Sequence, residues 1–163
     1  MCGYPYSGKT TLAKFLEQKL GFARITVDEI VQKFGLPMEE QLPEEEWTRV
    51  YQEAESRLIN LLTNNRSVIF DATNGHKDYR DKLRKITESL VIKSIVVFIN
   101  TPLETIYYRD AHVSNRHKAT GVENTIREFN IPTSDENVVI VNPEWGNDKV
   151  LNIIRKEFAT IKN

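Results

Sequence analysis

The segment from Gly3 to Thr10 constrains this chain more than any other, because it fits the phosphate-binding pattern G-x-x-x-x-G-K-[ST]. Glycines let the backbone curl until consecutive N–H groups point inward at a polyphosphate. Lys9 is expected to reach the β- and γ-phosphates, and the Thr10 hydroxyl to take one Mg²⁺ position. The helix that follows adds its N-terminal partial charge. The alternative is a glycine turn before an ordinary helix. The predicted ATP-binding residues of this segment are Gly3, Ser7, Gly8, Lys9, Thr10 and Thr11.

Only Met1 and Cys2 precede the loop, although such a loop normally follows a buried strand. We expect either that the start is truncated or misassigned, or that this first strand is very short. The 163 residues suit one domain, placed at 1–163.

Composition gives no support for a membrane protein, a disulfide-stabilised protein or a strongly basic nucleic-acid-binding protein. The net charge of −1, from 22 basic and 23 acidic residues, gives no global attraction to nucleic acid or to an anionic membrane, although a local basic groove stays possible. One cysteine rules out an internal disulfide and fits a cytoplasmic protein. We find no signal-peptide pattern, and no apolar run approaches the roughly 18 residues of a membrane span.

Strand-like and helix-like patterns alternate along the chain. Helical spacing of apolar residues, with glycine or proline at the ends, predicts helices at 8–20, about 28–34, 43–64, 77–89, 101–112, 122–129 and from 147 or 148 onward. Short apolar runs predict strands at 23–27, 67–71, 91–100 and 138–141. This order predicts an α/β fold of three layers, a mostly parallel sheet covered by helices on both faces.

Two acidic residues are predicted at the carboxyl ends of strands, where parallel sheets bind their ligands. Asp28 is expected to take a proton from an attacking hydroxyl, to cap the next helix, or both. Asp71 is expected to hold Mg²⁺ through water or to position an acceptor hydroxyl; a plain strand-end turn is the alternative. Thr73 and Asn74 follow as substrate contacts or as turn residues.

The polar, basic segment at about 109–121 is predicted to fold over bound ATP as a lid, against the alternative of a solvated loop. We assign Arg116 the task of neutralising charge on the transferred phosphoryl group, and Arg109 a nucleotide contact. His112 and His117 lack a third ligand at metal-site spacing, so we interpret them as surface residues.

One predicted helix, 77–89, is strongly basic. Asp78 and Asp81 interrupt its cations, which favours a solvated face over a nucleic-acid-binding strip. The basic residues are Lys77, Arg80, Lys82, Arg84 and Lys85.

The N-K-x-D and D-x-x-G motifs of GTPases are absent, which leaves a compact phosphotransferase. The segments GYPYSGKTTLAKFL, RITVDEI and SVIFDATN, followed by a basic helix with Arg80, resemble the polynucleotide-kinase-like family of small P-loop kinases. That family includes 5′-hydroxyl polynucleotide kinases, seryl-tRNA kinases, chloramphenicol phosphotransferases and zeta-toxin-like enzymes. The resemblance runs from Gly3 to about Pro132 and implies a P-loop NTPase fold.

The resemblance also implies roles for single residues. Asp28 matches the catalytic base of the family, Lys9 and Thr10 its ATP and Mg²⁺ residues, and Arg116 its lid arginine. The arginine that commonly follows the base by three residues is replaced by Val31, which counts against a polynucleotide acceptor.

We therefore expect an ATP- and Mg²⁺-dependent kinase that phosphorylates a hydroxyl of a small molecule or of a nucleic-acid end. The rival hypothesis is a module that binds ATP without transferring phosphate. The identity of the acceptor and the oligomeric state stay open at this point.

Overall fold

Helices and strands alternate along the chain in a computed structural model that describes residues 1–37, 42–112 and 120–160, except for the side chains of Thr120 and Thr160. The strands are β1 (Ala23–Thr26), β2 (Val68–Asp71), β3 (Val96–Ile99) and β4 (Val138–Val141). The helices are α1 (Lys9–Leu20), α2 (Val27–Lys33), α3 (Glu44–Thr63), α4 (Lys77–Ser89), α5 (Leu103–His112), α6 (Thr120–Glu128) and α7 (Asn147–Thr160), with a 3-10 turn at Ser134–Glu136.

All the strand pairs described run parallel. β1 pairs with β2 from Ala23 opposite Val68 to Thr26 opposite Asp71, and β3 pairs with β4. The chain start lies between these pairs: the Cys2 N–H donates to Val97 O (2.8 Å), and the Ile99 N–H donates to Cys2 O (2.9 Å). On the other side the Met1 ammonium donates to Phe70 O at 2.7 Å. Met1 and Cys2 thus lie between the two strand pairs and bond to both, a position called the sheet joint below.

Helices cover both faces of this sheet, as predicted. On one face Leu12 and Leu16 of α1 pack with Ile154 of α7. On the other face Ile30 of α2 packs with Val50 and other apolar residues of α3. The strands are apolar toward both layers, which is typical of a parallel sheet buried on two sides. Next to Met1, between β2 and β3, a cavity of about 550 Å³ is lined mostly by apolar side chains.

Several predicted boundaries were wrong. β3 begins at Val96 rather than at position 91, because Val91 adopts a left-handed conformation (φ 57°) in the turn that ends α4, where it is 87% exposed. Pro43 precedes α3 at the N-cap position instead of opening the helix. Of the described helices, none is long and apolar enough to cross a membrane.

Candidate functional site

The phosphate-binding loop leads from the sheet joint directly into α1. A Cβ atom on Gly3 would lie 2.8 Å from Ser7 Oγ and 3.1 Å from Ile99 O, so this position accepts no side chain. Gly8, at the N-cap of α1, has φ 97°, a conformation that residues with a Cβ rarely adopt. The Ser7 N–H donates to Tyr4 O at 3.2 Å. The sequence thus dictates a tight loop at the N-terminus of a helix, the arrangement that binds phosphate groups.

Lys9 lies buried at the first position of α1 and donates from Nζ to Tyr4 O at 2.7 Å. Burial lowers the pKa of Lys9 to about 8, although the negative charges of Asp71 and Asp28 act to raise it. Both carboxylates are therefore close enough to influence the ammonium electrostatically. The structure brings Lys9, Asp28 and Asp71 to one edge of the sheet, as predicted from the order of strands.

Asp71 ends β2 and is almost fully buried. Neither carboxylate oxygen finds a hydrogen-bond partner among the described residues. Arg24 of β1 approaches from one side, with Nη1 3.6 Å from Asp71 Oδ2. An unsatisfied buried carboxylate is costly unless a further group completes its contacts. A hard cation such as Mg²⁺, which prefers oxygen ligands and keeps several waters, fits this requirement.

Thr10 supplies the second oxygen that such a cation would use. It is the second residue of α1, and its side chain is exposed beside the loop. Within the described ranges, no group of three or more His, Cys, Asp or Glu side chains is placed to hold a metal. The residues present therefore fit an ion held by one carboxylate and one hydroxyl, the remaining positions going to substrate phosphates and water. Thr11 is exposed on the next position of the helix.

Asp28 is exposed on the first turn of α2. The predicted capping role was wrong in position: β1 ends at Thr26, which is the N-cap residue, and Asp28 already lies inside the helix. Its negative charge still suits a helix N-terminus. Burial raises the pKa of Tyr51, and the nearby Asp28 carboxylate raises it further. Asp28 therefore lies near Tyr51 of α3, whose ring packs against that of Tyr79 on α4 with 4.6 Å between the ring centroids.

The turn after β2, residues Thr73 to Gly75, is bonded to the chain start. The Gly3 N–H donates to Thr73 O at 3.2 Å, and the Asn74 amide Nδ2 donates to Met1 O at 2.7 Å. The Asn74 side chain is therefore engaged by backbone, which supports the turn role over the substrate role. Thr73 is half-buried at the same edge of the sheet.

Arg109 on α5 contacts the phosphate-binding loop, since its Nη1 donates to Tyr6 O at 2.8 Å. It also lines a cavity of about 500 Å³ together with Asn100, Asn142 and Pro143, next to the loop and beyond β3 and β4. The other predicted arginine, Arg116, and His117 lie outside the described residues, as does 113–119 of the predicted lid. His112 is exposed and stacks on Tyr108, as expected of a surface residue.

Two buried arginines were missed by sequence reasoning. Arg80 was assigned to a solvated helix face, but its side chain is 3% exposed and pairs with Glu136. Glu136 lies 56 residues further along the chain, so the helical pattern around Arg80 gives no information about this partner. Arg24 binds Glu17 and Glu29 besides approaching Asp71. The sequence offered a signal for Arg24, since it is the one charged residue within the short strand β1.

A phosphate-binding loop ahead of a helix, on a parallel sheet covered on both faces, defines a P-loop NTPase fold of the kinase type. The family described as an AAA domain matches residues 1–130, and the chain belongs to that family. A shikimate kinase of Persephonella marina is 26% identical over 109 residues, covering 67% of this chain and 64% of that protein. The alignment thus spans just under two thirds of that relative's length.

Solved structures share the fold at low sequence identity. A sugar kinase from Janibacter sp. HTCC2649 superposes with a TM-score of 0.73 at 16% identity, covering 98% of this chain and 92% of that one. The APS kinase of Mycobacterium tuberculosis, in complex with AMPPNP and APS, gives a TM-score of 0.66 at 18% identity, with 98% and 95% covered.

Proposed function

We propose that this protein is an ATP- and Mg²⁺-dependent kinase that transfers the γ-phosphoryl group of ATP to a hydroxyl of a small molecule. The observation that carries the proposal is the convergence of Lys9 with two carboxylates, Asp71 at the end of β2 and Asp28 in the first turn of α2, beside a preformed phosphate loop. Relatives known as shikimate kinase, sugar kinase and APS kinase support small-molecule phosphorylation.

The nucleotide would bind along the loop and α1. Backbone N–H groups of Gly8, Lys9 and Thr10 at the N-terminus of α1 would hold the phosphates, and the Lys9 ammonium would bridge the β- and γ-phosphate oxygens. The base would occupy the cavity of about 500 Å³ beside Arg109. Arg109 already donates a hydrogen bond to the loop, so it is placed to contact the nucleotide when a lid at about 109–121 closes.

Thr10 and Asp71 are the residues that would hold Mg²⁺ at the sheet edge. When bound, the ion neutralises charge on the β- and γ-phosphate oxygens. The role of the chain is to offer one hydroxyl and one buried carboxylate, with Arg24 fixing the orientation of Asp71 from behind. The positive charge of the neighbouring Lys9 offsets the negative charge of Asp71 beside a bound polyphosphate.

Asp28 would act as the base in the transfer. Its carboxylate accepts the proton of the acceptor hydroxyl, while the acceptor oxygen forms a bond to the γ-phosphorus. The bond from the γ-phosphorus to the β,γ-bridging oxygen breaks, and ADP leaves. An arginine of the lid, Arg116 or Arg109, would neutralise the charge that develops on the phosphoryl oxygens. We place this machinery in a single kinase domain, residues 1–163.

A small acceptor is preferred over a polynucleotide end. The net charge of −1 gives no attraction to nucleic acid, and Val31 stands where a phosphate-binding arginine is expected in polynucleotide kinases.

The test is ADP formation from ATP and Mg²⁺ with shikimate, D-gluconate, APS and a 5′-hydroxyl oligonucleotide as separate acceptors, in wild-type protein and in Asp28→Asn. Stimulation by a small acceptor that disappears in the variant supports the proposal. Stimulation by the oligonucleotide alone would replace it with a nucleic-acid kinase. ATP binding without ADP formation across the panel would favour a binding module.

A further inference from the structure

The turn formed by Thr73, Asn74 and Gly75, here called the acceptor turn, is bonded to several distant parts of the chain. Asn74 has φ 48°, in the left-handed region, which asparagine adopts more readily than most residues. Besides the bonds to the chain start, Asn74 O accepts a contact from Cys2 Sγ at 3.3 Å. Whatever fixes this turn therefore also fixes the start of the phosphate loop.

Arg80, one turn into α4, supplies the principal hold. Its Nη1 donates to Asn74 O at 3.0 Å and to Gly75 O at 2.9 Å. The other edge of the guanidinium donates to Glu136, from Nε at 2.6 Å and from Nη2 at 2.9 Å. A planar group with donors on both edges makes this arrangement possible. One buried side chain thus ties two backbone carbonyls to a carboxylate from a distant part of the chain.

Glu136 is itself oriented for this contact. Its Oε1 also accepts the Thr133 N–H at 3.1 Å. Burial alone would raise the pKa of Glu136, but the hydrogen bonds from Arg80 and Thr133 outweigh burial and hold that pKa below its ordinary value. A buried ion pair is a weak source of net stability, because desolvation offsets the attraction. We therefore look for the role of the Arg80–Glu136 pair in the positions of the groups that it holds.

The acceptor turn also meets the end of α6. The Asn130 N–H donates to Gly75 O at 2.9 Å, so this carbonyl serves both Asn130 and Arg80. The Phe129 ring packs on Gly75 and lies 4.5 Å, centroid to centroid, from Tyr4 of the phosphate loop. The turn is therefore the point where the phosphate loop, α4 and the helix after residues 113–119 come together.

We propose that Arg80 is a positioning residue: by bonding Asn74 O and Gly75 O it fixes the acceptor turn, and through that turn it fixes Gly3 of the phosphate loop and the end of α6. The name of the turn rests on the proposed function, but the coupling does not. A lysine in place of Arg80 keeps the charge opposite Glu136, yet its single ammonium cannot bond both carbonyls and both carboxylate oxygens.

The decisive variant is Arg80→Lys, with Arg84→Lys on the same helix as the matched control. Arg84 pairs with Asp81 on the surface and bonds Asp135 O, away from the turn. Amide hydrogen exchange of Gly3 and Asn130 should accelerate by about tenfold in Arg80→Lys, the equivalent of one lost hydrogen bond. The amides of Ala23 and Asn100, bonded elsewhere in the sheet, should exchange as in wild type. The affinity for Mg·ATP should fall by about three- to tenfold.

Wild-type exchange at Gly3 and Asn130 in Arg80→Lys would overturn the proposal. Equal acceleration at all four amides would overturn it too, since that result indicates a loss of global stability. If Arg80→Lys does not fold, the double variant Arg80→Gln/Glu136→Gln, which removes both buried charges together, is measured in the same way with the same expectations. The exchange readout needs no acceptor, so a failed acceptor panel would count against the kinase alone.

Discussion

The nucleotide half and the acceptor half of the candidate site are built by different means. The nucleotide half is one continuous stretch, Gly3 to Thr10, in which loop shape and backbone N–H groups form the phosphate site. The acceptor half is assembled from separate elements: Asp28 in the first turn of α2 and Asp71 at the end of β2. Arg24 approaches Asp71, and Arg80 bonds the turn after β2. The first half depends on local conformation and the second on long-range contacts. Changes in the two halves should therefore damage different steps.

The largest effect is expected from Lys9→Met. This change removes the ammonium that would stabilise charge on the transferred phosphoryl group, and turnover should fall by about 10³-fold or more. Acceptor-stimulated ADP formation measures it, with thermal unfolding to confirm that the fold is intact. Turnover within tenfold of wild type would contradict the role of Lys9. The nucleotide half of the site would then have no residue shown to act in the transfer step.

Asp28→Asn should lower kcat by about 10²- to 10⁴-fold, because the base is lost, and leave the dissociation constant of Mg·ATP nearly unchanged. The matched control is Glu29→Gln, the adjacent exposed carboxylate on α2, which should retain wild-type kcat. Calorimetric titration and steady-state kinetics separate the two quantities. A parallel loss of ATP affinity and kcat in Asp28→Asn would show that the halves are not independent.

The affinity for ATP should weaken as pH rises above 8. The pKa of Lys9 is about 8 in the folded protein, below its ordinary value of 10.5. Bound triphosphate favours the charged ammonium and raises that pKa, so the complex holds more protons than the free protein. The dissociation constant should increase by roughly tenfold between pH 7.5 and pH 9. Titration calorimetry in buffers of different ionisation enthalpy should detect proton uptake; Lys9→Met should show neither effect.

The same shift gives a stability prediction of the opposite sense. The folded pKa lies below the unfolded value, so the unfolded chain binds more protons between pH 8 and pH 10.5. The contribution of Lys9 to the free energy of unfolding therefore increases as pH rises through that window, and it is smallest below pH 8. Comparing the denaturation midpoint of wild type with that of Lys9→Met across this range isolates the contribution from that of other groups.

The smallest effect is expected from Arg109→Ala. Its exposed side chain makes one hydrogen bond to the loop carbonyl of Tyr6, so the loss of Mg·ATP affinity should be about two- to fivefold. His112→Ala, on the same helix, serves as the control. A fall in kcat as large as that of Asp28→Asn would instead assign Arg109 to the transfer step.

The features that could be predicted from the sequence are those that depend on local conformation, and the features that were missed depend on long-range contacts. The phosphate loop, α1 and the layered parallel fold were predicted because each rests on contiguous patterns, whose spacing carries the information. Arg80 was misassigned because its neighbours on α4 are solvated. Its partner, Glu136, lies in a 3-10 turn, which has no periodic sequence pattern by which it could be predicted. The strand at 91–100 was predicted too long, since Val91 is apolar but belongs to the turn after α4. Local patterns cannot report contacts between distant segments.

The pairing of the described strands in two separate pairs has a mechanical consequence. Within each pair, four residues of each strand are in register. Asp28 follows β1 and Asp71 ends β2 in one pair, whereas Asn100 and Asn142 follow the strands of the other pair. A shift of one pair relative to the other would therefore change the distance between the proposed acceptor residues and the proposed nucleotide cavity.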